Sequence, residues 1–174
     1  FRTDRVPSRD LPYVGLLKAV LGFVDTTKHT YSDLSDEINL NTGGITLSVS
    51  SYADGRKQDA FTGIFTASAR VLCEKLDFGF SAIAEILLDS ILDDEKRLGE
   101  IVAETKSKSQ MRLNQAAHSA AVMRASSYFS AESAFDDCTG GIGFYQFLEE
   151  TAKHFDEKKG EVIAKLKETA ARLF

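Results

Sequence analysis

The sequence predicts an α+β fold in which helices dominate and cover a small antiparallel or mixed sheet. Most of the chain places apolar residues at helical spacing, whereas residues 45–71 alternate apolar and polar residues with a period of two. The chain has 174 residues, of which 43% are apolar and 27% are charged, values typical of a soluble globular protein with a real core. We therefore predict a single domain over residues 1–174.

The first helix is predicted to follow Asp10, with Pro12 in its first turn, because aspartate favours the N-cap and proline the first helical positions. Its apolar residues cover so much of the helix surface that it should be buried on most sides. These residues are Leu16, Leu17, Val20, Leu21 and Val24. A second helix is predicted to begin after Thr30, which forms a capping-box pattern with Asp33, and to end near Gly43.

Two strands are predicted next, each with one face exposed to water. The apolar positions are Ile45, Leu47 and Val49 in the first strand and Phe65, Ala67, Ala69 and Val71 in the second. Residues 53–56 between them include Asp54 and Gly55, which favour turns. The two strands are therefore predicted to pair as an antiparallel hairpin.

The rest of the chain is predicted to be helical. Ile83, Leu87 and Ile91 share one helical stripe, and the acidic run from Asp93 to Glu95 is typical of the start of a long helix that reaches about Asn114. A shorter segment over residues 116–128 follows, then two final helices after Gly143 and Asp156. The last helix should bury one side, formed by Val162, Ile163, Leu166, Ala170 and Leu173.

Charge and composition argue against several partners and locations. A net charge of −5 with interleaved basic and acidic residues disfavours nucleic acid, and the chain has no apolar run of about 18 residues that would span a membrane. Cys73 and Cys138 are expected to be ordinary reduced thiols, as in a cytoplasmic protein. The polar opening from Phe1 to Asp10 suggests a piece of a longer protein, so targeting information would lie outside it.

The sequence offers no catalytic, cofactor or metal residue in this chain. His29, His118 and His154 lack a second ligand at the spacing that zinc sites on helices use, and surface or hydrogen-bonded roles are favoured for them. Three aspartates could suggest calcium, but helix capping explains them better because the calcium-loop pattern is missing. They are Asp89, Asp93 and Asp94.

Two further motifs have both a functional and a structural interpretation. Gly140, Gly141 and Gly143 precede a helix and could cradle an anion, but they lack the lysine and hydroxyl residue of a phosphate loop, so a turn is favoured. The aromatic stripe over residues 144–148 could bind a peptide, although at helical spacing such a stripe is more often core.

Several stretches carry a resemblance to a known family. Residues 11–26, 31–38 and 41–45 resemble the pitrilysin/insulinase family of zinc metallopeptidases, in its presequence-protease branch. Residues 118–130 and 141–147 resemble the later part of the same domain. The resemblance covers nearly the whole chain, with motifs that are stretches of pattern rather than one diagnostic signature.

The resemblance implies a clamshell of two homologous halves, each built from two related α+β domains. In such enzymes only the N-terminal half carries the His-x-x-Glu-His motif that binds zinc and activates water. Here Val14 and Lys18 stand at the positions of the histidines and Leu17 at that of the glutamate. The resemblance thus implies the first domain of the non-catalytic C-terminal half, with edge strands missing before Phe1, zinc in the other half and none in this chain.

The expected function is that of a chamber-forming domain. The full-length protein would be a zinc metalloendopeptidase that hydrolyses unfolded peptides, the partners would be the remaining domains and the peptide substrate, and this fragment alone would be inactive. One alternative is a structural scaffold or pseudoenzyme subunit of a two-subunit assembly without peptidase activity. Another is an isolated helical interaction module.

Overall fold

The computed structural model describes residues 1–55, 57 and 60–174 and confirms the helix-dominated α+β fold. One antiparallel hairpin packs among helices that come mostly after it in the chain. The elements in chain order are α1 (Leu11–Val20), α2 (Tyr31–Asn41), β1 (Ile45–Ala53), β2 (Phe61–Ala69), α3 (Leu76–Leu88), α4 (Glu95–Gln115), α5 (Ala117–Ser126), α6 (Ala131–Gly140), α7 (Ile142–Lys153) and α8 (Phe155–Leu173).

Helix α1 is the centre of the fold. It contacts β1 and the helices α4, α6, α7 and α8. Leu16, Leu17 and Val20 have no exposed surface, and Leu21 and Val24 beyond the helix are almost fully buried. The prediction that this helix is buried on most sides is therefore confirmed.

The two predicted helix starts differ in outcome. The Thr30 hydroxyl accepts a hydrogen bond from the Asp33 amide at 3.3 Å, which confirms this cap for α2. Asp10 immediately precedes α1, but its side chain makes no capping bond. A 3₁₀ turn over Ser8–Asp10 leads directly into the helix, and the buried Asp10 carboxylate instead accepts a hydrogen bond from Lys165 Nζ of α8 at 3.2 Å.

The predicted hairpin is confirmed, with a register that pairs Ile45 with Ala69 and Ala53 with Phe61. Its second strand ends at Ala69, two residues before the predicted Val71. On the face of β1 that is expected to be exposed to water, Thr46 is exposed, whereas Ser48 and Ser50 are half-buried. Of the predicted turn, Arg56 lies outside the described residues.

The N-terminal residues run beside β2. The Thr3 amide donates to the Gly63 carbonyl at 2.9 Å, and the Phe65 amide donates to the Phe1 carbonyl at 2.8 Å. Arg2 and Ile64 form an antiparallel bridge. These residues occupy one edge of the described two-stranded sheet, so part of this edge is already paired.

Two helical predictions needed correction. Helix α6 was not predicted as a separate element of the helical part of the chain, although Ser130 caps it by accepting a hydrogen bond from the Ser133 amide and Phe135 is buried in the core. Its short run carries few apolar residues, so its periodicity is weak. Helix α3 ends at Leu88, before the predicted Ile91, because Ser90 pairs with Thr26 in an isolated bridge.

Across the described part of the chain, no helix combines the length and apolar character that crossing a bilayer requires.

Candidate functional site

The three positions at which the resemblance places zinc-motif residues lie on α1 but have different surroundings. Val14 and Leu17 have 0% of their surface exposed and belong to the hydrophobic core. Lys18 is half-buried and lies in the wall of a cleft. Neither an aliphatic side chain nor an ammonium group has a free electron pair for a metal at neutral pH.

The cleft next to Lys18 has a volume of about 510 Å³, which is in the range of small-ligand sites. It lies between α1, β1, α5, the C-terminal part of α4 and the end of α6, and we call it the α4–α6 cleft. Its walls include Lys18, Val49, Ser51, Arg112, Met123 and Asp136.

One wall of the α4–α6 cleft is cationic. Burial, and then the nearby Arg112 guanidinium, lower the pKa of Lys18 below its ordinary value. Among the described residues, no carboxylate lies within ion-pair distance of the Lys18 ammonium. Arg112 donates from Nη2 to the carbonyl of Gly140, which fixes the guanidinium between α4 and the end of α6.

The cleft also contains a carboxylate that is satisfied by other groups. The Ser51 hydroxyl lies 2.9 Å from Asp136 Oδ2 and 3.2 Å from Glu132 Oε1. Burial raises the pKa of Asp136, while the Ser51 hydrogen bond opposes that shift and the Glu132 charge adds to it. Asp136 therefore belongs to a hydrogen-bonded group between β1 and α6, and it does not neutralise Lys18.

The three histidines occupy separate places. His29 Nδ1 lies 2.8 Å from Glu85 Oε1, His118 is exposed on α5, and His154 lies near the glutamates that precede and follow it. Within the described ranges, no group of three or more His, Cys, Asp or Glu side chains has an arrangement that could hold a metal ion. Cys73 and Cys138 are free thiols.

The three aspartates have structural partners. Asp94 caps α4 by accepting a hydrogen bond from the Arg97 amide at 2.9 Å, as predicted. Asp89 pairs with Lys28 at 2.8 Å and Asp93 with Lys167 at 2.6 Å, so ion pairs rather than caps explain these two.

The glycines that could have cradled an anion pack around a carboxylate of the chain itself. Gly140 ends α6, and the Gly143 amide in the first turn of α7 donates to Asp137 Oδ2 at 3.2 Å. A Cβ on Gly141 would lie 2.6 Å from Asp137 Oδ1, which leaves no room for a side chain. Gly141 and Gly143 are therefore needed for the close approach of two helices around Asp137, in line with the turn interpretation.

The aromatic stripe on α7 is core, as the sequence favoured. Phe144 and Leu148 are buried, and the Phe147 ring packs edge-on against Tyr13 of α1 with ring centroids 5.0 Å apart.

Sequence reasoning missed the cleft itself, because Lys18, Ser51, Arg112 and Asp136 are far apart in the chain. The one available signal was a lysine within an otherwise apolar helix.

Comparison with known proteins identifies the family. The family model described as peptidase M-16C associated matches residues 1–150. Protein HypA of Clostridium perfringens is 30% identical over 174 residues, which are 100% of this chain and 18% of that protein. The mitochondrial presequence protease of Yarrowia lipolytica is 31% identical over 168 residues, which are 96% of this chain and 17% of that protein.

The mitochondrial presequence protease of Saccharomyces cerevisiae is 25% identical over 169 residues, which are 95% of this chain and 17% of that protein. The chain thus spans less than a fifth of the length of these curated relatives. The match over residues 1–150 shows that the chain belongs to this peptidase-associated family, which confirms the resemblance to the presequence-protease branch of the pitrilysin/insulinase peptidases.

Proposed function

We propose that this chain forms a non-catalytic wall of the chamber in a zinc-dependent metallopeptidase that hydrolyses unfolded peptides. The observation that carries the proposal is the state of α1, where Val14 and Leu17 are core residues and Lys18 lines a cleft. A helix with that composition supports a fold and a surface, but it supplies no metal ligand and no general base.

The contribution of such a wall is confinement. Holding an extended peptide beside a zinc ion in another part of the protein raises the effective concentration of the scissile bond and restricts its orientation. The α4–α6 cleft supports this role because it combines polar groups with the apolar side chains of Val49, Leu113 and Met123. Peptides present the same mixture of groups.

An apolar surface near α3 supports packing against the remaining domains of the parent protein. Phe80 is 70% exposed and Leu88 is 68% exposed, and Leu76 at the first position of the helix and Leu72 before it are also exposed. A row of large apolar side chains this prominent is unusual on a surface that faces only water. The expected partners are thus other domains of the same protein.

The proposal is tested on the parent protein. Its reading frame should contain His-x-x-Glu-His outside this chain, and the purified protein should hold zinc and cleave an unfolded peptide. Replacing the motif glutamate with glutamine should abolish cleavage, because this glutamate activates the attacking water. Zinc should remain bound, because the two motif histidines that hold it are unchanged. Elemental analysis and a fluorogenic peptide give the two readouts.

The same measurements on the isolated chain are the matched control. We expect well below one zinc per chain and no cleavage. A parent protein that lacks the motif and cleaves nothing would instead favour a scaffold or pseudoenzyme subunit. One tightly held zinc per isolated chain would contradict the proposal that this chain is non-catalytic and that zinc lies in another part of the protein.

A further inference from the structure

The α4–α6 cleft holds two cations on one wall, Lys18 from α1 and Arg112 from α4. We infer that this wall binds a carboxylate group of a peptide, with the Lys18 ammonium as the main ligand and the Arg112 guanidinium as the second. The choice of a peptide as the carrier of that carboxylate rests on the proposed function. The cationic pair itself is a property of the described structure.

Lys18 lacks the counter-ion that another partly buried lysine has. Lys165 on α8 has a side chain 22% exposed, and its ammonium contacts the carboxylates of Asp10 at 3.2 Å and Glu168 at 3.0 Å. Lys18 is also half-buried, yet within the described ranges no acidic side chain comes within ion-pair distance of it. A partly buried charge without a partner is costly, and an incoming carboxylate would offset that cost.

Arg112 is positioned so that it can bind the same carboxylate as Lys18. Its Nη2 donates to the Gly140 carbonyl, which places the guanidinium beside the end of α6. A guanidinium carries five N–H donors, so this single bond leaves others for a ligand. The nearness of the two cations also contributes to the lowered pKa of Lys18, an arrangement that an anion between them would relieve.

The carboxylate already present in the cleft does not take this role. Asp136 is hydrogen-bonded to Ser51 at 2.9 Å, and Glu132 is the charged neighbour that influences it. Beside the cations, Val49, Leu113 and Met123 give the cleft an apolar surface that suits a peptide side chain. The cleft therefore matches a ligand with one negative group next to an apolar one.

The carboxylate of a peptide can be its C-terminus or an acidic side chain, and three short peptides separate these sources. The probes are acetyl-Ala-Leu-Phe with a free C-terminus, the same peptide with a C-terminal amide, and acetyl-Ala-Glu-Phe-amide. Each is titrated into the ¹⁵N-labelled 174-residue chain, and the amide resonances of Gly140 and Gly141 in the cleft wall report binding.

We expect saturable shifts with at least one carboxylate peptide and an affinity about tenfold or more lower for the amidated Ala-Leu-Phe peptide, since charge-assisted hydrogen bonds contribute most of such binding. Preference for the free C-terminus would assign the site to peptide ends, and equal binding of the glutamate peptide would assign it to carboxylates in general. Equal affinity for all three peptides would overturn the inference.

Variants test the role of the ammonium. Lys18→Met should weaken binding of the carboxylate peptide about tenfold, and Lys18→Arg should retain most of it because the charge is kept. Lys106→Met is the matched control, since Lys106 lies on the same helix as Arg112 but lines a different cleft. Unchanged affinity of Lys18→Met, with a native thermal transition, would also overturn the inference.

These titrations require neither zinc nor cleavage. If the chain fails to bind carboxylates while the parent protein still hydrolyses peptides, the inference fails and the proposed function stands. If the chain binds carboxylates and the parent lacks peptidase activity, the proposed function fails and the carboxylate site stands.

Discussion

His29 Nδ1 lies 2.8 Å from Glu85 Oε1, and this contact joins the segment before α2 to the last turn of α3. The Thr26 hydroxyl donates to the same Glu85 oxygen, and the glutamate is only 7% exposed. Burial raises the pKa of Glu85, but the hydrogen bonds from Thr26 and His29 outweigh burial and keep the pKa below its ordinary value. The hydrogen bond to Glu85 raises the pKa of His29.

The opposite shifts predict a pH-dependent stability. The contribution of His29 is fully present below its ordinary pKa of 6.5 and is lost as pH rises through its raised folded value. The contribution of Glu85 is present above its ordinary pKa of 4.5 and is lost as pH falls through its lowered folded value. The pair should therefore stabilise the fold most between about pH 5 and 6.5.

The measurement is Tm from about pH 3.5 to 8.5, a range that extends below the ordinary pKa of Glu85 and above that of His29. His29→Gln should remove a decline in Tm that the unmodified chain shows above about pH 6.5. His118→Gln is the matched control, because His118 is exposed and forms no ion pair with a described carboxylate. Equal pH slopes for the chain and its His29 variant would rule out the assigned role.

Leu17 tests whether the position at which the resemblance places a zinc-motif glutamate is a core position in this chain. Leu17→Ala should lower the free energy of unfolding by about 2–5 kcal/mol, because the side chain is fully buried and its removal leaves a cavity. Leu40→Ala is the control, since Leu40 is 84% exposed and should cost less than about 0.5 kcal/mol. Similar urea midpoints for the two variants would show that α1 is not packed as described.

Close packing requires a glycine at position 15 but not at position 160. A Cβ on Gly15 would lie 2.6 Å from the Thr139 carbonyl and 2.9 Å from the Phe144 ring, so Gly15→Ala should destabilise the chain by about 1–3 kcal/mol. Gly160 on α8 has open space around it. Gly160→Ala should stabilise by about 0.5–1 kcal/mol, because alanine favours the helix. Chemical denaturation should therefore give changes of opposite sign, and a stabilising Gly15→Ala would contradict the packing of α1 against α6 and α7.

Removal of the Arg124 cation, which is partly exposed but pairs with Asp137, should lower the free energy of unfolding substantially. Asp137 is buried, and its Oδ2 accepts a 2.6 Å hydrogen bond from Arg124 Nη1. Arg124→Met should cost about 2–3 kcal/mol, because it leaves a buried carboxylate without its charged donor.

An exposed pair on α4 serves as the control for this loss. Lys108 and Glu104 pair at 2.6 Å with both side chains more than half exposed, so Lys108→Met should cost less than about 0.5 kcal/mol. Both variants are compared by thermal and urea unfolding. A loss at Arg124 no larger than at Lys108 would show that water reaches Asp137.

The sequence was sufficient to predict most local structure. Thr30 and Asp33 marked the start of α2, Asp94 marked that of α4, and the change of period at Ile45 marked the hairpin. These signals are local, because capping and side-chain alternation depend on residues a few positions apart. Helix α6 was not predicted as a separate helix because a ten-residue segment with few apolar residues has little periodicity of its own, and its stability comes from packing of Phe135 in the core.

The sequence by itself determined the fold class, the family and the presence of Val14, Leu17 and Lys18 at the positions where the resemblance places a zinc motif, since these follow from residue identity and short-range pattern. Tertiary structure alone decided that Lys18 and Arg112 share a cleft, that Asp136 is engaged by Ser51, and that Asp137 fills the space beside the glycines. Those groups are distant in the chain, and their encounters depend on how α1, β1, α4 and α6 pack together. Packing of that kind is a property of the whole core, and no local pattern specifies it.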